Sequence, residues 1–325
     1  MPHYQRSEAR QWMRANLRGY LTALYTPFQS NGDIDERALV QNVERTLGLP
    51  GVGGLSLHSI HQEFWTLTDA ERMRVTEVVL RTVDGRKPVV VGVSHTSART
   101  VVELAQHAQD AGADAIMVWP PYYGPRSKDG VQAFYEYVAA RIEIGMFVYS
   151  TTLSELGFYL TPDMVEALLP LPWLCGVHSS TMNFATYASM MERVGQEIAV
   201  STSLEEYFLF GKLTMPERTP DFLMGCSRPL FVQSDARPHC GRFIEAALAG
   251  DYVAAGAVLR EIVAIADKLQ SRYFAQGFHH VALFKALSEN LGLVGGNVRP
   301  PASAAAAGEL QECFEVMRAA GLRTI

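Results

Sequence analysis

Long apolar runs are missing from the 325 residues of this chain, and so are runs of positive charge. The opening segment MPHYQRSEARQWMRANLRGY mixes charges with single apolar residues, so it offers neither a signal-peptide core nor a membrane span of about twenty residues. With 28 Lys and Arg against 34 Asp and Glu the net charge is −6, and no basic stretch can track a phosphate backbone, which argues against nucleic acid as a partner. A small neutral or acidic metabolite remains open, because one local cationic site can hold it whatever the net charge. Cysteine is scarce. Cys175, Cys226, Cys240 and Cys313 lie far apart with no CxxC pair, and they read as reduced thiols in a soluble, cytoplasmic chain that is not exported. A glycine-rich phosphate loop is also absent: the segment after the first strand, TPFQSNGD, has one glycine, which weakens the case for an open doubly wound nucleotide-binding sheet.

What is present is a globular composition, 48% hydrophobic and 19% charged, enough for one large core or two ordinary ones. Short apolar runs alternate with longer amphipathic segments almost from end to end, the pattern of repeated βα units. Strands are expected near 20–25, 53–57, 88–93, 115–119, 146–149, 174–178, 198–202 and 222–226. Helices are expected near 36–47, where Asp33 or Asp35 can cap, and after Thr68, which precedes Glu71 by three residues in a capping-box arrangement. More follow near 98–111, 131–141, 162–169 and 184–194, whereas KLTMPERTP between the last two strands is irregular. Eight strands fit a closed (β/α)8 TIM barrel. Four further helical patterns, near 241–249, 252–270, 278–291 and 304–319, exceed what a barrel needs. The expected division is an N-terminal extension over 1–17, a barrel over 18–235 and a C-terminal helical subdomain over 236–325.

Several segments, in order and over most of the chain, resemble the dihydrodipicolinate synthase and N-acetylneuraminate lyase family of barrel aldolases. They are LTALYTPF followed by NGDID, TLTDAER, HAQDAGADAIMVWPPYY, the FVY strand ending at Tyr149, EAALAGDYVAA and FKALSENLGLVGGNVRPP. The resemblance implies a (β/α)8 barrel with added C-terminal helices, assembled as a homodimer or homotetramer, with chemistry at the C-terminal ends of the strands. It also implies a Schiff-base lysine on the sixth strand, in a segment like GIKDSS. This chain reads GVHSST there, placing His178 at the lysine position. An imidazole cannot condense with a carbonyl to an iminium, which takes a primary amine. Where the family's GTTGE loop holds a keto-acid carboxylate, this chain has SIHQE from Ser59 to Glu63. The YNVP segment becomes YSTT, and LSELGF supplies no arginine for a second carboxylate.

Tyr149 matches the family's proton-relay tyrosine, and Tyr122 and Tyr123 match a pair of which the second commonly reaches across a subunit interface. His178 then reads as an acid/base group facing the pocket, or as a neutral residue left where a lysine was lost. His58, Ser59 and His61, with Thr26 and Tyr123, are the candidate substrate contacts; a strand alternates faces, so at most one of His58 and His61 is expected to point inward. Glu63 is expected to close its loop by accepting backbone hydrogen bonds, and His279 and His280 are expected to be solvated. The reading is a lyase or hydrolase-like enzyme on a small oxygenated metabolite, using Tyr149 and His178 as its catalytic pair with no cofactor and no metal. Two alternatives stay open: a non-catalytic ligand-binding or assembly member, and a metal-assisted lyase using His58, His61 and His178, perhaps with Glu63.

Overall fold

The computed structural model describes residues 3–152, 158–271 and 280–322; residues 153–157 of the LSELGF segment, Phe278 and His279 lie outside that description. The strands are β1 (Gly19–Ala23), β2 (Val52–Leu57), β3 (Val89–Gly92), β4 (Ala115–Val118), β5 (Gly145–Thr151), β6 (Leu174–Ser180), β7 (Ala199–Ser201) and β8 (Phe222–Met224). They form one eight-stranded sheet in the order β7-β6-β5-β4-β3-β2-β1-β8. The amide of Met224 donates to the carbonyl of Thr202 at 3.0 Å, joining β8 to the end of β7, so the two ends of that order meet. Closure removes the exposed edges that an open sheet would leave.

The helices are α1 (Ala9–Asn16), α2 (Glu36–Leu47), α3 (Asp69–Val83), α4 (Ala98–Asp110), α5 (Lys128–Ala139), α6 (Pro162–Ala167), α7 (Phe184–Val194) and α8 (Glu205–Thr214), then α9 (His239–Leu248), α10 (Tyr252–Ala266), α11 (His280–Ser288) and α12 (Ala307–Ala319). Their starts follow local chemistry. Asp35, not Asp33, caps α2 by accepting from the Ala38 amide, and Thr68 and Glu71 form a reciprocal capping box on α3. Ser97, Asn183 and Asp251 do the same work for α4, α7 and α10 with one bond each.

Two helices, α1 within the N-terminal segment and α8, depart from the sequence pattern, and for α8 the cause is polar burial. Glu205 is buried and accepts from the Tyr20 hydroxyl at 3.0 Å, while Lys212 is buried against Asp221 Oδ1 at 2.6 Å and the Thr219 carbonyl at 3.0 Å. Charged residues on the inward face erase the apolar stripe that identifies a helix in sequence.

The chain packs as two compact units, one comprising Met1–Leu21 with Pro88–Gly225 and the other Thr22–Lys87 with Cys226–Ile325. The first holds β3 to β8. The second holds β2, α2, α3 and the C-terminal helices. All four cysteines are buried free thiols. Among the described residues no helix is long and apolar enough to cross a membrane.

Candidate active site

The first unit aligns its functional side chains by strand register. Tyr149 of β5 pairs with His178 of β6, and His178 pairs with Ser201 of β7. Residues in one parallel row share a face of the sheet, so these three side chains project together. A register irregularity between Met146 and Phe147 makes this alignment: Met146 pairs with Leu174 but Phe147 with Gly176, so the bulge leaves Cys175 over and sets Tyr149 opposite His178. Two residues down each strand, Phe147, Gly176 and Ala199 form the row below. A Cβ on Gly176 would stand 2.3 Å from the Phe147 ring and 2.7 Å from the Ala199 carbonyl, so glycine is required for Phe147 to lie flat there. Phe147 meets Phe222 edge-on at 6.1 Å, giving the polar row an apolar floor.

His178 is 3% exposed. Its Nδ1 lies 3.1 Å from Ser201 Oγ, and that hydroxyl donates to the Val177 carbonyl at 3.5 Å. A serine that donates to a carbonyl has only lone pairs for the imidazole, so His178 carries its proton on Nδ1 and presents Nε2 as an acceptor. Nε2 looks toward Gly225, where a Cβ would lie 3.3 Å away on a backbone with φ +70°. Burial pushes the His178 pKa down to about 3, so the ring is neutral at neutral pH.

Tyr149 stacks on Trp119 at 4.7 Å with the planes 23° apart, and its ring centre is 5.4 Å from that of His178. Burial raises its pKa, opposed by side-chain hydrogen bonds with Ser180 and Thr151 from the row above. A phenol that keeps its proton beside an imidazole with a free lone pair is one donor and one acceptor on a common wall.

The second unit holds the strand-two candidates, and it separates them. His58, at φ +52°, turns its Nε2 to Thr76 Oγ1 of α3 at 2.9 Å; Thr76 donates to the Arg72 carbonyl, so His58 donates to Thr76. Thr26 directs its hydroxyl to the Gln62 carbonyl at 3.1 Å, tying β1 to the turn after β2. Ser59 Oγ is buried without a hydrogen-bond partner among the described residues. His61 packs with Tyr25, His280 and Phe284.

Glu63 sits at φ +54°, wholly buried, with Oε1 2.9 Å from Lys285 Nζ and Oε2 accepting from the Arg299 amide at 3.3 Å. Its principal partner is thus a buried ammonium, whose pKa burial lowers and Glu63 raises. His280 is 3% exposed, not solvated, because it lies over Phe284 at 5.2 Å and beside His61 at 5.8 Å. Tyr123 is 79% exposed. Among the described residues no group of three or more His, Cys, Asp or Glu gathers as a metal site requires.

Sequence reasoning missed Trp119, Thr151, Ser180 and Ser201. Trp119 carried a usable signal, an aromatic one residue past a strand end. The three hydroxyls carried none, since only the register places them beside Tyr149 and His178.

The sequence model of the Dihydrodipicolinate synthetase family matches residues 16–320. The 4-hydroxy-tetrahydrodipicolinate synthase of Phenylobacterium zucineum is 32% identical over 307 residues, 94% of this chain and 98% of that one. Among solved structures, the dihydrodipicolinate synthase of Thermotoga maritima superposes with a TM-score of 0.81 at 21% identity, covering 94% of this chain and 99% of that one. A prophage protein of the dihydrodipicolinic acid synthase family from E. coli K12, in complex with pyruvate, superposes with a TM-score of 0.80 at 23% identity and the same coverage. Eight parallel strands alternating with helices, a C-terminal helical addition and these matches agree: the fold is a (β/α)8 barrel, and the chain belongs to the dihydrodipicolinate synthetase family of aldolase-superfamily lyases.

Proposed function

We propose that this member is a lyase or hydrolase-like enzyme that works on a small oxygenated metabolite by acid/base chemistry, without an imine. The observation that carries the reading is the row Tyr149, His178 and Ser201, with an imidazole where a Schiff base would need an amine. Tyr149 supplies the proton and His178 Nε2 receives one. Ser201 holds the ring in the tautomer that leaves Nε2 open. Trp119 stacks on Tyr149 and Phe147 lies in the row below, so the pair sits in a largely buried setting, where hydrogen bonds to a substrate would count for more than in water.

The engagement of four of the five lysines elsewhere supports the absence of an imine. Lys87 donates to the carbonyls of Leu47 and Val52, Lys128 pairs with Asp163, Lys212 with Asp221 and Lys285 with Glu63. The E. coli relative holds pyruvate; for this chain we place the substrate among small oxo- and hydroxy-compounds. Four buried thiols support a cytoplasmic setting, and the exposed Tyr123 supports a homo-oligomer.

The test is turnover of a panel of small oxo- and hydroxy-acids by the parent and by His178→Ala. An imidazole acting as acid or base contributes about a hundredfold to ten-thousandfold, and the variant should lose that much while melting close to the parent. Equal rates would end the acid/base reading.

A further inference from the structure

The N-terminal segment touches the starting ends of the same strands whose far ends carry the candidate site. Tyr4 accepts from the amide of Gly145, the first residue of β5, at 2.9 Å and donates to the carbonyl of Asp114, just ahead of β4. Arg10 Nε donates to the carbonyl of Leu174, which opens β6, at 3.0 Å, and Arg14 donates to the carbonyl of Ile198, just ahead of β7, at 2.9 Å. Toward the other ends of these strands stand Trp119, Tyr149, His178 and Ser201.

The contacts converge on the β5–β6 bulge. A Cβ on Gly145 would lie 2.5 Å from Met13 Cε, 2.8 Å from Tyr4 Oη and 3.1 Å from Cys175 Sγ, so the glycine lets α1 seat beside Cys175, the residue that the bulge leaves over. The Cys175 thiol and the Met146 amide both donate to the Trp173 carbonyl, at 3.1 and 2.7 Å. Trp173 holds φ +67°, a left-handed conformation that a large side chain keeps only where its surroundings fix it. The Tyr4 ring lies 6.4 Å from the Trp173 ring and 4.8 Å from that of Trp12 in α1.

The bulge decides which side chains meet. Met146 stands opposite Leu174, and without the extra residue the pairs that follow would set Tyr149 opposite Val177 instead of His178. Neighbouring residues of a strand point to opposite faces, so Tyr149 and His178 would no longer share a row. The extra residue of a bulge is unpaired in the ladder, and here the groups packed around it come from Tyr4, Arg10 and Met13.

We propose that the N-terminal segment is a register clamp: Tyr4, Arg10 and Met13 fix the bulge where β5 and β6 begin and so keep Tyr149 opposite His178 toward their ends. Tyr4 and Arg10 are positioning residues, acting through the backbone of two strands. The clamp takes its purpose from the acid/base reading, but it is tested on the two rings themselves, so an absence of turnover beside an intact clamp would count against that reading alone.

The experiment follows the nuclear Overhauser contact between the Tyr149 and His178 rings, whose centres lie 5.4 Å apart, in the whole chain labelled at its aromatic rings. The double variant Tyr4→Phe/Arg10→Ala removes the ties to Gly145 and Leu174 and should weaken that contact by about half or more as a slipped register becomes populated. Arg10→Lys with Tyr4 intact keeps a donor for the carbonyl and should hold the contact at the parent's strength. Val101→Ala, a buried truncation in α4, should lower the melting temperature and leave the contact unchanged. If the double variant does not fold, Tyr4→Phe alone, which keeps the ring and loses one oxygen, should show the same loss at smaller amplitude. A full-strength contact in the folded variant that lacks the Tyr4 hydroxyl overturns the proposal, and so does an equal loss in Arg10→Lys or in Val101→Ala.

Discussion

His178 shows how far a single position carries. Its place at a strand end and the missing amine were legible in the sequence. Its proton was not, because the tautomer depends on Ser201 and Val177, which meet it only through the register of β6 with β7. The low pKa has a consequence for stability. The folded ring titrates near 3 and an unfolded histidine near 6.5, so in that window the unfolded state binds the extra proton. His178 therefore stabilises the fold fully above about pH 6.5, and that contribution falls as pH drops, by at most about 1.4 kcal/mol per pH unit. Between pH 7 and pH 5 the parent should lose about 1–2 kcal/mol more than His178→Gln in urea titrations. His61 pulls in the same direction but is present in both proteins, so it cancels. Equal losses would mean that His178 is hydrated and free to charge.

Helix α1 is the element the sequence concealed. Its charges and scattered apolar residues read as an extension, yet Met13 is wholly buried and Tyr4 is 6% exposed. The Tyr4 hydroxyl donates to the Asp114 carbonyl at 2.5 Å and accepts from the Gly145 amide at 2.9 Å. Arg10 reaches the carbonyls of Leu169 and Leu174, and Arg14 those of Gly195 and Ile198, so α1 is bound to the segments leading into β5, β6 and β7. Isolated basic residues in a short helix give no hint of this, because their partners are backbone carbonyls far along the chain. Met13→Ala should cost about 2–5 kcal/mol in denaturant titrations, the price of a core cavity, although the residue lies in the segment that reads as an extension. Gly176→Ala in β6 should cost about 1–3 kcal/mol or more through collision with Phe147. A Gly176→Ala protein as stable as the parent would show that the row beneath His178 is loosely packed. Elements with clean periodicity, α2 and α7 among them, were readable to the residue, whereas α8 was hidden by its buried Glu205 and Lys212.

At the scale of the whole molecule, the alternation of short and long apolar patterns was enough for the barrel, since eight strands and their helices leave few arrangements. It was not enough for the site, because the candidates after strands one and two turned to different neighbours: His58 to α3, Thr26 to a loop carbonyl, His61 to an aromatic cluster. Assembly is testable at this scale. Tyr123 exposes a large ring with a polar tip, which suits an interface anchor, and sedimentation at micromolar concentration should give at least a dimer that Tyr123→Asp weakens. A monomeric parent would contradict that. The central claim, chemistry without an imine, is tested most directly by intact mass. The parent is incubated with pyruvate and borohydride beside His178→Lys, which restores an amine to the β6 row and should trap poorly at best. The account predicts a parent mass that does not change; a stable pyruvyl adduct on any of its lysines would contradict it.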